Sequence, residues 1–372
     1  MQNSERHIFP GGNTPLGFYS YYDNIIDKKK ATSVYCLKGG PGMGKSSYMK
    51  KVAKEFQDMG ERIEYLHCSS DPHSLDGIHL ADYGIVMIDG TAPHVVDPAY
   101  PGAVDEIINL GMFWNLKGIR AHKEEIISTQ HNISYEFSRA YKFLAAAANI
   151  DDDTNVIYQN ATDEDELDKI SSYLTEKIFK GTGKGNSKRI RRIFASAITP
   201  AGLVNYADTV LNDCEHVFAL KIGDNLSSFT GADVIMSRLV DEIMHRGYMC
   251  ETFYCPMKPV SRIEHIVIPE LKTGITLLNK YNNDETTATE IIEAMQCVNR
   301  AKIRECADKT EENNDMYNRL LMYAERALKD AYWLHNTLES YYIPNIDFDS
   351  VNENRHEITE RIKKDIENRK TL

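Results

Sequence analysis

Apolar and polar positions along the chain follow two periods, one typical of buried strands and one typical of amphipathic helices. Short apolar runs, such as 33–38 (SVYCLK) and 84–90 (GIVMIDG), are followed by turn residues, and longer segments with helical spacing alternate with them. Strands that alternate with helices in this way predict an α/β fold with mostly parallel sheets and helices on both faces.

The pattern occurs twice. RHIFPGGNTPLG at 6–17 returns as RRIFASAITPAG at 191–202, with six identities in twelve positions. Each copy is followed by a segment that we predict to be an amphipathic helix (FYSYYDNII and LVNYADTVL), then by a strand, a glycine-containing turn, a helix that ends at glycine, and further strands. The sequence therefore predicts a tandem duplication of one α/β domain.

Helical, charged segments follow the core of each copy. The stretches 117–145 and 284–340 carry apolar residues at helical spacing and predict helical arms. We expect the arms to pack against each other, with a protein-partner surface as the alternative, and the charged tail 352–372 to be a solvated helix. The predicted domains are 1–180 (arm about 112–180) and 191–372 (arm about 284–372), joined by the basic, glycine-rich linker 181–190.

The turn after the first copy's strand, GGPGMGKSS, matches G-x-x-x-x-G-K-[ST]. Its glycines allow backbone N–H groups to surround phosphate oxygens, Lys45 would reach the β and γ phosphates, and the Ser46 hydroxyl would bind Mg²⁺. A strand precedes the motif and a helix follows it, as this chemistry requires. The predicted nucleotide-binding residues are Gly39, Gly40, Pro41, Gly42, Met43, Gly44, Lys45, Ser46 and Ser47.

A carboxylate at the end of a neighbouring strand would complete the magnesium site. GIVMIDG supplies Asp89 after four apolar residues, so Ser46 and Asp89 are the predicted Mg²⁺ ligands. Gly90 stands where many such sites carry a catalytic glutamate. The predicted catalytic residues are Lys45, Asp89, Asp97 and His94.

Two loops at the same sheet edge offer residues that would position water or substrate. One follows Asp89 and carries Thr91, His94 and Asp97; the other is HCSSDPHSLDG, which we interpret as a loop that senses substrate or the γ-phosphate and which carries His67, Asp71, His73 and Asp76. The choice of the water-positioning residue stays open among Asp97, His94 and Asp71.

The second copy has a loop of similar shape at 221–229, KIGDNLSSF, without this chemistry. Alignment on the preceding strand places Ser228 at Lys45 and Phe229 at Ser46, with Asn225 and Ser227 at two loop glycines, and Asp224 adds a negative charge. In the strand GITLLN, Asn279 stands near the expected position of the magnesium carboxylate. We therefore predict an inactive second site.

The segments GGNTPLG, GGPGMGKSS and DGTAPHVVDP together resemble a bacterial, Firmicutes-type family of tandem P-loop ATPases, over nearly the whole chain. The resemblance implies a P-loop NTPase fold present twice and ATP as the ligand, and it implies no particular substrate. Members often carry a complete phosphate loop in the second half, from which this chain departs.

The bulk composition limits the classes of function. The net charge of −12 argues against a nucleic-acid-binding surface, and no apolar run approaches the roughly 20 residues that span a bilayer. The N-terminal residues lack the apolar region of a signal peptide, so we expect a cytoplasmic protein. The sequence favours an Mg²⁺-dependent ATPase with one active site. The alternatives are a P-loop kinase that phosphorylates a small metabolite and a non-hydrolysing ATP-dependent switch that acts through the helical arms.

Overall fold

The computed structural model describes residues 5–91, 96–223 and 226–370 and has an α/β fold. Its strands are β1 (Arg6–Ile8), β2 (Gly11–Thr14), β3 (Gly17–Ser20), β4 (Ser33–Lys38), β5 (Ile63–His67), β6 (Leu75–Leu80), β7 (Ile85–Asp89), β8 (Asp105–Asn109), β9 (Arg189–Ile193), β10 (Ser196–Thr199), β11 (Gly202–Asn205), β12 (His216–Lys221), β13 (Met249–Tyr254), β14 (Ile263–Ile268), β15 (Thr273–Leu278) and β16 (Glu290–Glu293). Its α-helices are α1 (Lys45–Asp58), α2 (Leu116–Ala121), α3 (Lys123–Asn160), α4 (Glu164–Phe179), α5 (Ala207–Leu211), α6 (Thr230–His245), α7 (Arg300–Glu305), α8 (Ala307–Tyr342) and α9 (Phe348–Lys370).

Two six-stranded sheets share one topology. The first has the order β1-β5-β6-β7-β4-β8 and the second the order β9-β13-β14-β15-β12-β16. In each sheet one strand, β6 or β14, runs antiparallel to both of its neighbours, and the other neighbouring strands pair in parallel. The repeat in the sequence is thus accompanied by a repeat in strand order, and the prediction of mostly parallel sheets is confirmed.

An ion pair recurs at the outer parallel pair of each sheet. Arg6 lies 3.5 Å from Glu64 across β1 and β5, and Arg191 lies 2.7 Å from Glu251 across β9 and β13. In each pair the arginine lies just before the repeated F-x-x-x-x-T-P segment. The glutamate lies on the strand that follows the helix ending at glycine. The two halves therefore keep the same internal polar contact although most of their residues differ.

A four-stranded sheet has the order β11-β10-β2-β3, and its β10–β11 and β10–β2 pairings are antiparallel. It brings the two copies of the repeated segment together, since Asn13 on β2 pairs with Ile198 on β10. These two residues occupy the same position in the repeat, and the Asn13 side-chain amide donates to the Ile198 carbonyl at 2.9 Å. The sheet is therefore built from equivalent strands of the two copies.

The chain forms two compact units that are discontinuous in sequence. One unit contains the described residues of Met1–Gly11, Ser20–Ser138 and Ala327–Leu372, and the other contains Gly12–Tyr19 and Arg139–Arg326. This division differs from the predicted halves 1–180 and 191–372, because the ends of the long helices α3 and α8 belong to the unit built mainly from the opposite half. The arms do not simply extend the halves in which they begin.

Several local predictions are wrong. FYSYYDNII is the strand β3 followed by a single 3-10 turn, and LVNYADTVL is the strand β11 followed by the five-residue helix α5. The arm predicted from residue 284 begins instead with the strand β16, whose EIIE sequence hydrogen-bonds to β12. This four-residue segment, with two isoleucines, is too short to show a helical stripe, and it forms a strand at the edge of the sheet.

The C-terminal helix α9 is not a solvated tail. Its residues Val351, Ile358, Ile362 and Ile366 are buried in one apolar cluster with α1 residues that include Tyr48 and Val52. The side of the helix that carries these residues has the helical spacing of a core-facing stripe, and its charges lie between them. Arg355 at 2.5 Å and Lys363 at 2.9 Å both bind Glu55 of α1.

In the part of the chain that the structure describes, no helix combines the length and the apolar character needed to cross a membrane.

Candidate functional site

The loop between β4 and α1 has the backbone conformation that its glycines permit. Gly42 and Gly44 adopt φ values of 69° and 74°, in the left-handed region that residues with a Cβ atom rarely enter. Gly44 caps α1, which begins at Lys45, so the first N–H groups of the helix point back toward the loop. Glycine is thus required at both positions for this strand-loop-helix connection.

Lys45 and Asp89 meet at this loop. The Lys45 ammonium donates to the carbonyl oxygens of Gly39 and Gly40, at 2.9 Å each, and its Nζ lies 3.5 Å from Asp89 Oδ2. Asp89 is the last residue of β7, which pairs directly with β4. The other carboxylate oxygen of Asp89 accepts hydrogen bonds from the N–H and the hydroxyl of Thr91. The two residues that the sequence assigned to the site therefore form an ion pair.

Ser46 lies next to them at the start of α1. Its hydroxyl oxygen accepts a hydrogen bond of 3.0 Å from the Leu75 N–H, at the beginning of β6. Hydroxyl and carboxylate oxygens are ligands that Mg²⁺ prefers, so the donor set of Ser46 and Asp89 fits this ion. The described residues contain no cluster of three or more His, Cys, Asp or Glu side chains suited to a metal ion.

The end of helix α8 covers the loop between β4 and α1. The Gly42 N–H donates to Glu339 Oε1 at 3.0 Å, and a Cβ atom on Gly42 would come within 2.8 Å of the Ile343 side chain. A Cβ atom on Gly40 would meet the rings of Trp114 and Tyr342 at 3.1 and 3.3 Å. The Trp114 indole N–H also contacts the Met43 sulfur. Side chains from α8 and from the segment after β8 thus lie directly against the loop.

Glu339 is held as an anion at this position. Its contact with His335 holds the pKa of the Glu339 carboxyl below its usual value, and the Gly42 N–H and the Lys45 charge act in the same direction. A carboxylate bonded to a backbone N–H of a glycine-rich loop uses the same interactions as a bound phosphate oxygen. No pattern in the sequence pointed to Glu339, because it lies 297 residues from Gly42.

The remaining predicted residues are more scattered. Asp97 is largely exposed, with Oδ1 3.3 Å from Lys38 Nζ. Asp71 shapes its own turn, accepting bonds from the Ser74 hydroxyl at 2.6 Å and the His73 N–H at 3.1 Å. His94 lies outside the described residues.

His67, at the end of β5, is enclosed rather than poised at the loop. Burial lowers the pKa of His67 to about 4, so the imidazole is neutral near pH 7. Its Nε2 is 2.8 Å from His7 Nδ1, and its Nδ1 is 3.1 Å from the Pro72 carbonyl. These contacts account for the two ring nitrogens within the protein.

The corresponding loop of the second half is filled by polar side chains from α3. Asp151 Oδ1 accepts from the hydroxyls of Ser227 and Ser228, at 2.9 and 3.0 Å, and the Asn155 amide donates to Ser228 Oγ at 2.9 Å. Arg262 lies 3.1 Å from Asp151 and is almost fully buried. Ser228, the counterpart of Lys45, is thus part of a closed network, while Asp224 and Asn225 lie outside the described residues.

The arm contacts at the two loops are equivalent. Isolated β-bridges join Trp114 to Ile346 and Thr162 to Val298. Trp114 is 184 positions from Val298, and Thr162 is 184 positions from Ile346, so each bridge is the counterpart of the other. The same offset pairs Asn155 with Glu339 and Tyr158 with Tyr342. Tyr158 packs against the ring of Phe229, and Tyr342 packs against the ring of Trp114. The end of each long helix therefore closes one loop, with an amide at the second and a carboxylate at the first.

Strand register corrects the predicted counterpart of Asp89. Leu37 pairs with Asp89 in the first sheet, and the equivalent Leu220 pairs with Leu277 in the second. Asn279 lies two residues further on, where its side-chain oxygen accepts from the N–H groups of Tyr281 and Asn282, at 2.8 and 2.9 Å. A buried leucine, Leu277, thus stands at the position equivalent to Asp89, and Asn279 stabilises the turn that follows.

No family model, curated protein or solved structure matches this chain.

Proposed function

We propose that this chain is an Mg²⁺-dependent ATP-binding protein that hydrolyses ATP at a single site, the loop at 39–47. The observation that carries the proposal is the hydrogen bond from the Gly42 N–H to the Glu339 carboxylate, at 3.0 Å. An anion is bound on the loop by a backbone N–H of the phosphate-binding motif, beside Lys45. A triphosphate presents the same kind of oxygen with more charge.

Three residues have assigned roles in this proposal. Lys45 exchanges its carbonyl contacts for the β and γ phosphates, and Ser46 and Asp89 hold Mg²⁺. The ion, when bound, neutralises phosphate charge. Leu75 stays in place through its N–H bond to Ser46, and Thr91 orients Asp89. The protein side of the site is therefore largely built before ATP binds.

Glu339 must leave Gly42 before a phosphate can occupy that N–H group. Since Glu339 lies near the end of α8, ATP binding at the loop is coupled to a change in the contacts of this helix. This observation favours one second candidate function, a switch in which ATP binding without turnover releases the α8 end for a partner protein. The kinase alternative gains no support from a described contact.

One experiment separates these functions. Purified full-length protein is incubated with Mg-ATP, first alone and then with a pool of small metabolites, and inorganic phosphate and ADP are both measured. Phosphate release without metabolites supports the ATPase. ADP formation that needs the metabolites supports the kinase, and tight ATP binding without either product supports the switch. Failure to bind ATP would refute the proposal as a whole.

A further inference from the structure

Asp76 occupies the sheet edge at which the phosphate loop lies. The strands β4 and β7 end at this edge, and β6 begins there because it runs in the opposite direction. Asp76 is the second residue of β6, directly after Leu75, whose N–H is bonded to Ser46 at 3.0 Å. One peptide bond thus separates Asp76 from a residue in contact with the predicted magnesium ligand.

The register of β6 carries Asp76 toward Asp89. The ladder between β6 and β7 ends at the pair of Gly77 and Ile88, and Asp76 and Asp89 are the next residues beyond it on the two strands. Opposite residues of an antiparallel pair share one face of the sheet, with Cα atoms roughly 4.5–5.5 Å apart. On its other side, β6 has a bulge at Asp76, because Leu66 pairs with Gly77 and His67 with Leu75. Bulges redirect side chains and are common beside active sites.

The Asp76 carboxylate is buried and oriented. Its residue is 4% exposed, and Oδ2 accepts a hydrogen bond of 2.8 Å from the Tyr22 hydroxyl. Burial raises the pKa of Tyr22, and the negative charges of Asp76 and, more weakly, Asp89 raise it further. Tyr22 therefore stays protonated and donates, and it lies within electrostatic range of both carboxylates.

We propose that Asp76 is the catalytic carboxylate of the ATPase inferred above, accepting a hydrogen bond from the water that attacks the γ-phosphorus. The water oxygen bonds to that phosphorus while the bond to the β–γ bridging oxygen breaks. ADP leaves with the electron pair of the broken bond, and both water hydrogens leave with the inorganic phosphate. This inference rests on the proposed function.

Asp76 supplies a buried carboxylate, which the segment after Asp89 lacks. Gly90 offers no carboxylate, Asp97 is exposed beside Lys38, and Asp71 is used in its own turn. Asp76, in contrast, lies on a strand of the sheet itself, so its position is fixed more firmly than that of a loop residue.

The second half contains a matched control. The bulge recurs in β14, where Phe253 pairs with His265 and Tyr254 with Ile263, so Glu264 is the counterpart of Asp76. Glu264 accepts from the Ser196 hydroxyl at 3.1 Å, and the continued register places Leu277 opposite it. Glu264 is thus a carboxylate at the equivalent bulge, in a half of the chain that has no counterpart of Lys45 or Asp89.

The test compares full-length Asp76→Asn, Tyr22→Phe and Glu264→Gln with the wild type. ATP affinity is measured with a fluorescent ATP analogue, turnover by phosphate release, and thermal unfolding by circular dichroism. For Asp76→Asn we expect turnover to fall on the order of 100-fold or more while ATP affinity stays close to that of the wild type. Tyr22→Phe leaves the carboxylate without this donor and gives a smaller fall, and Glu264→Gln keeps wild-type turnover.

The outcomes separate the inference from the proposal beneath it. Undiminished turnover in Asp76→Asn, or equal losses of turnover in Asp76→Asn and Glu264→Gln, would refute the catalytic role while the ATPase stands. Parallel losses of affinity, turnover and thermal stability in Asp76→Asn would show a structural role instead. If Asp76→Asn does not fold, Tyr22→Phe decides, since unchanged turnover there contradicts the inference. A wild type without turnover refutes the ATPase and the inference together.

Discussion

The Glu339 carboxylate accepts a hydrogen bond of 3.0 Å from the backbone N–H of Gly42, in the middle of the glycine-rich loop. The two residues lie at opposite ends of the chain, and the loop is closed by the end of helix α8. Closure by a carboxylate implies competition, since the same N–H cannot serve Glu339 and a phosphate oxygen at once.

Replacing Glu339 should therefore strengthen ATP binding. Charge-assisted hydrogen bonds contribute about 1.5–3 kcal/mol, so Glu339→Gln should lower the Kd for Mg-ATP by roughly ten- to hundredfold. Titration calorimetry measures the change. Asn155→Ala is the matched control, because Asn155 stands at the equivalent place beside Ser228 and should leave the Kd unchanged. A weaker or unaltered Kd in Glu339→Gln would show that the carboxylate does not compete.

Asp89→Asn should separate binding from turnover. The amide keeps the shape of the side chain and its contact with Thr91 but loses the charge that would hold Mg²⁺ and that now faces Lys45 at 3.5 Å. We expect a modest loss of ATP affinity and a much larger loss of Mg²⁺-dependent phosphate release. Equal losses of both would assign Asp89 a structural role.

The polar network of the second loop should be essential for stability and should have no effect on ATP binding. Arg262 lies 3.1 Å from Asp151 and 3.2 Å from Asp233, and it is 2% exposed. Removing one partner of a buried ionic network leaves charges unpaired, which costs about 3–5 kcal/mol. Arg262→Met should therefore lower the free energy of unfolding in urea by that amount.

The control for this prediction removes charge without leaving an unpaired ion. In Arg262→Met combined with Asp151→Asn and Asp233→Asn, part of the lost stability should return, because no buried carboxylate then lacks a cation. An Arg262→Met protein as stable as the wild type would contradict the view that the network stabilises this loop.

His265 should make stability depend on pH. It is 1% exposed, and burial lowers its pKa to about 3, so the folded state keeps it neutral. In the unfolded chain the pKa is about 6.5, so below that pH only the unfolded state gains the proton, and stability falls as the pH drops from about 6.5 toward 3. The slope for this one group is ~1.4 kcal/mol per pH unit.

The measurement compares urea unfolding of the wild type and His265→Gln between pH 4.5 and 7.5. The glutamine can keep a hydrogen bond to Thr276, which lies 2.8 Å from His265 Nδ1. The stability difference between the two proteins should shrink as the pH falls below 6.5. A difference that stays constant over this range would show that His265 takes up its proton in the folded state as well.

The local structure of the first loop follows from the sequence, whereas its surroundings do not. The strand before the loop, the helix that begins at Lys45 and the position of Asp89 at a strand end were all predictable, because neighbouring residues determine each of them. The contact of Glu339 with Gly42 depends on the packing of a distant helix. The amphipathic spacing of α8 indicates that one side of the helix is buried. It does not indicate which part of the protein covers that side.

Strand register explains a second class of errors. The register in which Gly77 of β6 pairs with Ile88 of β7 is what carries Asp76 toward Asp89, and no residue type in the sequence indicates this register. For the same reason, the sequence predicts Asn279, rather than Leu277, as the counterpart of Asp89 in the second half. The sequence predicts a helix over EIIE of β16, because four residues are too few to distinguish the period of a strand from that of a helix.

The number of ATP molecules bound per chain tests the central claim most directly. Lacking the lysine and the magnesium hydroxyl, the second loop should bind ATP more weakly by roughly 3–6 kcal/mol, or about two to four orders of magnitude. Titration calorimetry of the full-length protein with Mg-ATP should give one molecule per chain, none for Lys45→Ala, and one again for Ser228→Ala. Two sites of similar affinity, or undiminished binding in a folded Lys45→Ala variant, would contradict the account.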